Sequence, residues 1–189
     1  MAFAHTQDER IVQLISAPET LEKGFEQMVH CYSRPLYWKI RGIVLNHEDA
    51  DDVLQNTWVK VWRNLNTFEG KSKLSTWLYR VAVNEALDSL RRRKTQAQEL
   101  GDEPLSVADQ LIADPLFDGD RTEAILREAI ATLPNVQRLV FNMRYYDNMK
   151  YSEISQILGT SEGALKASYH LAVKKVSEYI KQHETVAEY

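Results

Sequence analysis

Cysteine and metal-ligating clusters are scarce in this sequence. Its 189 residues include one cysteine, Cys31, which excludes an intramolecular disulfide. Cys31 stands in an amphipathic run beside Met28, Val29 and Tyr32, and this setting favours a buried small side chain over a reactive thiol. The histidines show no ligand spacing: His5, His30, His47, His170 and His183. The sequence therefore predicts no zinc site, no Cys/His nucleophilic pair and no cofactor.

Long apolar runs are also absent. No stretch approaches the roughly 18 apolar residues of a membrane-spanning helix, and the opening MAFAHTQDER lacks the apolar core of a signal peptide. We therefore expect no membrane insertion and a cytoplasmic protein. Only seven glycines and five prolines occur, which favours helices over a β-sandwich. The predicted fold class is all-α.

Acidic charge is concentrated in one segment. Residues 1–94 hold 14 Lys or Arg and 12 Asp or Glu, and residues 121–189 hold 9 and 8. Residues 95–120 hold no basic residue and 7 acidic ones, with Pro104 and Pro115 among them. This pattern predicts two helical domains, 1–94 and 121–189, joined by a flexible acidic linker at 95–120 with at most one short helix. Because the net charge of −4 comes from the linker, it is a poor guide to the partners of the two domains.

Hydrophobic periodicity predicts a helical bundle in the first domain. The expected helices cover 8–16, 18–35, 36–45 and 49–65, and Pro35 is expected to end the second of them. On the helix at 49–65, one side carries polar residues and an exposed valine: Asp52, Gln55, Asn56, Val59 and Arg63. That side suits a protein contact, although helix-dipole complementation accounts equally well for the acidic residues at its start.

The stretch at 68–94 reads FEGKSKLSTWLYRVAVNEALDSLRRRK and predicts one long helix with two apolar faces. The helix is expected to be entered through a turn at Gly70 and Ser72, with Ser72 or Ser75 as its N-cap. Leu74, Leu78 and Val81 point to one side, while Val83, Leu87 and Leu90 point to the other. Between them runs a stripe of mixed chemistry: Lys73, Trp77, Arg80, Asn84, Asp88 and Arg91. Cations can neutralise phosphates, an indole can stack on an unpaired base and an amide can read a base edge. A solvated face with a basic end that complements the helix dipole is the alternative interpretation.

The second domain contains a helix-turn-helix pattern. A short helix at 151–158 ends at Gly159, a natural left-handed cap, and Thr160 or Ser161 caps the final helix. The outer face of that final helix carries small and cationic residues: Gly163, Lys166, Ala167, His170 and Lys174. Such a face fits a DNA major groove. An ordinary αα-hairpin with lysines on its surface explains the spacing equally well.

Four stretches in this order resemble a known family. They are EDADDVLQNTWVKVWRNL at 48–65, the long-helix stretch at 68–94, LPNVQRLVFNMRYYDNMKYSEISQILG at 133–159 and TSEGALKASYHLAVKK at 160–175. Together they resemble the bacterial RNA polymerase sigma factors, specifically the extracytoplasmic function (ECF) group of the sigma-70 family. The resemblance implies a dissociable polymerase subunit that directs promoter-specific transcription initiation, and not an enzyme.

The resemblance also implies roles for particular residues. Core RNA polymerase would bind at Asp52, Gln55 and Asn56. The −10 promoter element would bind at Phe68, Lys73, Trp77, Arg80, Asn84 and Arg91. The −35 element would bind at Glu162, Gly163, Lys166, Ala167, His170 and Lys174. Promoter DNA is thus an implied partner alongside polymerase, and an anti-sigma factor is a further one.

Three positions depart from the family pattern. The family more often has Glu at the position of Asn56, and Arg at the positions of Ser168 and Leu171. We therefore expect weaker phosphate binding and an unusual sequence preference at the −35 element.

Two other functions remain open at this point. A helix-turn-helix regulator that never joins polymerase would explain 121–182 but would leave the long two-sided helix without a role. An interaction protein, such as an anti-sigma antagonist or a helical adaptor, would use the side of the helix between Asp52 and Arg63. An independent enzyme is disfavoured because the sequence holds no metal cluster, catalytic triad or phosphate-binding loop.

Overall fold

The computed structural model describes residues 2–100 and 121–184, and within them it contains helices and short connections but no strand. The first lobe consists of α1 (Ala2–Ile15), α2 (Leu21–Val44), α3 (His47–Arg63) and α4 (Leu74–Leu100). The second lobe consists of α5 (Arg121–Ala131), α6 (Asn135–Tyr145), α7 (Tyr151–Leu158) and α8 (Glu162–Glu184). Single 3₁₀ turns lie at Pro18–Thr20 and Leu65–Thr67. The predicted all-α class with two helical domains is confirmed.

The expectation that Pro35 ends a helix is wrong, because α2 runs through it. Proline removes one backbone hydrogen bond and costs roughly 3 kcal/mol in a helix interior. Met28 before it and Leu36 and Ile40 after it are all buried on the same core, whereas Pro35 itself is exposed. Burying each such side chain contributes about 1.5–3 kcal/mol, so packing on both sides of Pro35 outweighs the local penalty.

The long helix α4 follows the predicted turn at Gly70 and Ser72, but it ends later than predicted. Residues 68–73 form a connecting segment with Gly70 at φ +69°, a left-handed conformation that glycine adopts without strain. The helix starts at Leu74 and continues past 94 to Leu100. Leu78 and Val83, from the two predicted apolar faces, are both fully buried. The prediction that this helix packs on two sides is therefore confirmed.

The helix-turn-helix of the second lobe has the predicted connection. Gly159 ends α7 at φ +63°, and its N–H donates to the Ser155 carbonyl. Ser161 Oγ accepts from the Ala164 N–H at 3.4 Å and so caps the start of α8. A small core holds this lobe together: Ala129, Ile130, Leu133, Phe141, Ala172 and Val176.

The two lobes are packed against each other. Helix α7 contacts α4, and α6 contacts α2. One continuous apolar cluster includes residues of both lobes, among them Leu78 and Val83 from α4 and Leu139, Met143 and Ile154 from the second lobe. The linker predicted at 95–120 starts too early, because residues 95–100 belong to α4. Its remaining residues, 101–120, and any short helix predicted among them lie outside the described residues.

Candidate nucleic-acid interface

Three polar residues of the predicted stripe are exposed, and their side chains have no internal partner among the described residues. Arg80 and Asn84 lie on the outer side of α4, and Lys73 directly precedes the helix. In the part of the chain that the structure describes, their side chains form no hydrogen bond or ion pair. Because α4 is packed on two other sides, these donors are held in place at one surface. They can bind an external ligand without first breaking internal contacts.

The predicted exposure of Trp77 is wrong, since this side chain is only 5% exposed. Trp77 lies where the stripe meets the apolar face of Leu74 and Leu78, and its large ring packs into that core. Phe68 covers it, with the ring centroids 5.4 Å apart. The aromatic ring that remains partly accessible here is therefore that of Phe68.

A cleft lies beside Phe68. It has a volume of about 880 Å³ and opens between the connecting segment before α4 and helix α1. Phe68, Ser72 and Lys73 form one wall, while Asp8 and Glu9 from α1 contribute to the other. An aromatic ring and a lysine at the edge of an open cleft suit a flat, polar ligand.

The basic run at the end of α4 is partly neutralised by carboxylates. Arg91 Nη1 donates to Asp88 Oδ1 at 3.0 Å, and Arg92 Nη2 donates to Glu85 Oε1 at 3.0 Å. Arg93 pairs with Asp49 at the start of α3. The run therefore holds α3 and α4 together in addition to presenting positive charge. The sequence did not reveal these pairs.

Glu85 is a buried carboxylate in this network, 2% exposed, and it also pairs with Lys60 of α3. Burial raises the pKa of Glu85, but hydrogen bonds from Lys60 and Arg92 outweigh burial, so its pKa falls below the usual 4.5. A carboxylate whose pKa is lowered by folding stabilises the fold above its unfolded-state pKa. That contribution disappears as the pH falls through the folded-state pKa.

We expect Glu85→Gln to lower the free energy of unfolding at pH 7 by about 1–2 kcal/mol, because the buried amide replaces a charge-assisted pair. Lys60 and Arg92 are about half exposed and can be rehydrated, which limits the loss. The variant should also lose less stability than the wild type on acidification. Urea unfolding at neutral and acidic pH measures both effects.

Asp88→Asn is the control, because it changes a more exposed carboxylate in the same network. It should lower the free energy of unfolding by less than about 0.5 kcal/mol. Equal losses in the two variants would contradict the role of Glu85.

The predicted partner face on α3 is exposed along its length, at Asp52, Gln55, Asn56, Val59 and Arg63. Asn46 fixes the start of this helix, since its side chain accepts from the Asp49 N–H at 2.7 Å. Trp62 adds a large apolar group that the sequence analysis missed, being 43% exposed with its ring 4.8 Å from that of Phe25. The available signal in the sequence was spacing: Trp62 stands seven residues after Gln55 and three after Val59, on the same side of the helix.

The outer face of α8 is also accessible. All six residues assigned to it are exposed: Glu162, Gly163, Lys166, Ala167, His170 and Lys174. Lys166 lies 4.0 Å from Glu162 and 5.6 Å from the centre of the Tyr151 ring. Leu171, at one edge of the same face, is 48% exposed.

The described ranges, 2–100 and 121–184, contain no group of three or more His, Cys, Asp or Glu side chains that could hold a metal ion. No helix among those ranges is apolar over a length sufficient to span a bilayer.

Comparison with protein families matches both lobes. The family model described as Sigma-70 region 2 matches residues 28–96, which include the α3 face and the α4 stripe. The model described as Sigma-70, region 4 matches residues 123–176, which include the helix-turn-helix. The chain belongs to the ECF group of sigma-70 factors. It functions in transcription initiation, and sigma factors are in general non-enzymatic regulators of transcription.

Relatives of this sigma factor match it over most of its length. The chain is 28% identical over 158 residues to the ECF RNA polymerase sigma factor SigW of Bacillus subtilis, covering 79% of this chain and 84% of SigW. It is 28% identical over 163 residues to the RNA polymerase sigma-E factor of Streptomyces coelicolor, covering 85% and 86%.

Solved structures share the fold. The sigma factor RpoE of Bartonella quintana, in complex with the anti-sigma factor NepR, aligns with a TM-score of 0.71 and 25% identity, over 84% of this chain and 98% of RpoE. CnrH, in complex with the cytosolic domain of CnrY, aligns with a TM-score of 0.66 and 22% identity, over 93% and 98%.

Proposed function

We propose that this sigma factor binds core RNA polymerase through the α3 face and contacts promoter DNA through α4 and α8. The observation that carries the proposal is the set of exposed donors without an internal partner in the described residues: Lys73, directly before α4, and Arg80 and Asn84 on α4. All three lie in the part of the chain that matches region 2. The chain acts by binding, in the cytoplasm, and carries out no chemical step of its own. Its two domains would be 1–94, extended to Leu100 by the end of α4, and 121–189, with the linker between them.

At the −10 element, α4 would hold one separated DNA strand. Lys73 and Arg80 neutralise phosphates, with Arg91 contributing further along the helix. Asn84 offers a paired donor and acceptor, the arrangement that reads an adenine edge. Phe68 stacks on an unpaired base and Trp77 supports it from below, since the two rings are in contact.

At the −35 element, the N-terminal half of α8 would enter the major groove. Gly163 and Ala167 are small and allow the helix backbone to approach the bases closely. Lys166, His170 and Lys174 can reach phosphates, and Glu162 can accept from a cytosine amino group. Leu171 is an exposed apolar side chain suited to a thymine methyl group, which would alter the sequence preference relative to an arginine.

We expect Lys166→Ala to weaken promoter binding and to make it less dependent on salt. Each phosphate contact releases condensed counterions, so losing one should reduce the salt slope by about 1. Titration of promoter duplex with the polymerase complex at several salt concentrations measures this slope. Lys175→Ala is the matched control, because Lys175 is exposed on α8 but outside the assigned face. A slope unchanged from the wild type would mean that Lys166 touches no phosphate.

Co-elution with core RNA polymerase tests the proposed function against a regulator that binds duplex DNA alone. We expect a stoichiometric complex of the chain with core polymerase on size exclusion, whereas a regulator would elute separately.

The Bartonella relative was solved in complex with an anti-sigma factor. An anti-sigma factor is therefore a further proposed partner of this chain, and it should compete with core polymerase in the same assay.

A further inference from the structure

The α4 stripe contains one carboxylate. Asp88 follows Asn84 by four residues, a spacing that places two side chains next to each other on one face of a helix. The other polar residues of the stripe are cations or an amide: Lys73, Arg80, Asn84 and Arg91. The Asp88 side chain is 42% exposed. Because a carboxylate repels phosphate, a DNA strand on this stripe must present a hydrogen-bond donor to Asp88.

Two cations orient Asp88 without using all of its acceptor sites. Arg91 Nη1 donates to Asp88 Oδ1 at 3.0 Å, whereas Lys60 Nζ lies 3.8 Å from Oδ2, too far for a hydrogen bond. An ionised carboxylate has about four acceptor sites on its two oxygens. Asp88 can therefore accept from an external donor while its bond to Arg91 stays intact.

Glu85, the neighbouring carboxylate, is unsuited to this role. It is 2% exposed, and its oxygens bind Lys60 and Arg92. Since the buried Glu85 holds Lys60, the Lys60 ammonium is kept from closing on Asp88. Of these two carboxylates at the boundary of α3 and α4, Asp88 is the one that DNA can reach.

The donors that DNA offers to a carboxylate are on its bases, since the phosphate and sugar-ring oxygens only accept. Cytosine N4 and adenine N6 are amino groups, and a carboxylate side chain accepts well from cytosine N4. Thymine is the base without an amino group, and it presents the O4 acceptor, which repels a carboxylate. Asp88 therefore favours an amino-bearing base and disfavours thymine.

The spacing of Asn84 and Asp88 limits which base this is. Four residues of α-helix rise about 6 Å, and successive nucleotides of one strand are about 3.4 Å apart. A base that Asp88 contacts therefore lies one or two nucleotides from the base that Asn84 contacts. This distance can be checked in promoter sequences.

We propose that Asp88 is a specificity-determining residue, which selects a base with an exocyclic amino group and rejects thymine beside the base that Asn84 contacts. This role rests on the proposed function, because it requires α4 to face the −10 element. Arg91 is the positioning residue for the carboxylate. Its guanidinium has five N–H donors, so it can hold Asp88 and still reach a phosphate.

Asp88→Asn tests this role with little change of shape. The amide both donates and accepts, so it tolerates the thymine O4 that the carboxylate repels. We expect the discrimination against thymine at this position to fall by about fivefold, with the preferences at other positions unchanged. Asp51→Asn is the matched control, because it makes the same charge change at an exposed carboxylate of α3, off the stripe.

Arg91→Ala separates base recognition from phosphate binding. It should weaken binding to all promoters to a similar extent and reduce the salt slope by about 1, because it removes a cation. A carboxylate that only anchored Arg91 would give the same uniform loss in Asp88→Asn. A change of base preference at one position is expected from the specificity role alone.

Two measurements on the full chain test the role of Asp88. Transcription with core polymerase from a library randomised across the −10 element gives the preference at each position, and Asn84→Ala marks the position that Asn84 reads. Fluorescence anisotropy with labelled oligo-dC and oligo-dT, without polymerase, gives the ratio of the two affinities. For Asp88→Asn we expect that ratio to move toward oligo-dT by about fivefold, while Asp51→Asn keeps the wild-type ratio.

Three results in the library would each overturn the role of Asp88: rejection of thymine that persists in Asp88→Asn, a change spread equally over all positions, or a changed position more than two nucleotides from that of Asn84. An unchanged oligonucleotide ratio would overturn it as well. A chain that yields no promoter-specific transcripts with core enzyme would refute the proposed function instead. The oligonucleotide ratio would still decide whether Asp88 selects amino-bearing bases.

Discussion

Replacing Asn84 by alanine should reduce formation of the open promoter complex by about tenfold or more, while leaving the affinity for core polymerase unchanged. A side-chain amide that reads a base edge contributes about 1–3 kcal/mol of discrimination, and alanine retains none of it. Asn84 is exposed and has no partner in the described part of the chain, so its loss should not disturb the fold. Permanganate reactivity of unpaired thymines measures opening, and size exclusion with core enzyme measures binding.

Asn64→Ala is the control for that experiment, since it removes the same amide from an exposed position off the stripe. It should open promoters as the wild type does. If Asn84→Ala reduced polymerase binding and promoter opening equally, Asn84 would belong to the polymerase contact and its assignment to DNA would be wrong.

Asp52→Arg should weaken binding to core polymerase by tenfold or more. Reversing a charge at a complementary interface adds repulsion to the loss of attraction, and such like-charge contacts cost several kcal/mol. Asp52 is exposed on α3 and, within the described residues, forms no ion pair, so helical content by circular dichroism should be unchanged. Fluorescence anisotropy of the labelled chain with core enzyme gives the affinity.

Asp51→Arg makes the same charge change on the neighbouring side of α3. Asp51 is equally exposed and lies 3.4 Å from the His47 ring nitrogen, within its own helix. It should reduce the affinity for core polymerase much less than Asp52→Arg. Comparable losses would mean that core polymerase responds to the overall charge of the helix, and the specific face assigned to it would be incorrect.

Periodicity was sufficient to predict most of the helices because apolar spacing reports which side of a helix is buried. It predicted two buried faces on α4 and the left-handed turn at Gly159, and both are confirmed. It failed at Pro35, where a local rule about proline was outweighed by burial of residues far apart in the sequence. Helix boundaries there depend on tertiary packing that a local pattern does not contain.

The functional surfaces were predicted less completely than the fold. The stripe on α4 contains both exposed and buried members: Arg80 and Asn84 are exposed, while Trp77 is buried at its edge. A helical projection gives the direction in which a side chain leaves the helix, but not where a large side chain ends. The indole ring of Trp77 can therefore turn from the stripe into the core. Phe68 was correctly placed beside the stripe, but its contact with Trp77 depends on the conformation of the segment before α4.

The contact between the two lobes could hardly be predicted from the sequence. Arg138 and Asn142 interrupt the apolar pattern of α6, and a buried cation within such a pattern usually has a partner. Their acceptors are backbone carbonyls of α2, about a hundred positions earlier in the chain. Every residue type offers the same carbonyl, so no residue pattern marks an acceptor of this kind.

Transcription reconstituted from purified core polymerase, this chain and a promoter library measures the central claim most directly. We expect the full chain and core enzyme together, with no other factor, to produce transcripts from discrete start sites whose upstream DNA shares a −10 and a −35 element. Sequencing of the transcript ends identifies both. Transcripts that start at random positions, or at the same positions without this chain, would contradict the assignment of α4 and α8 to promoter DNA.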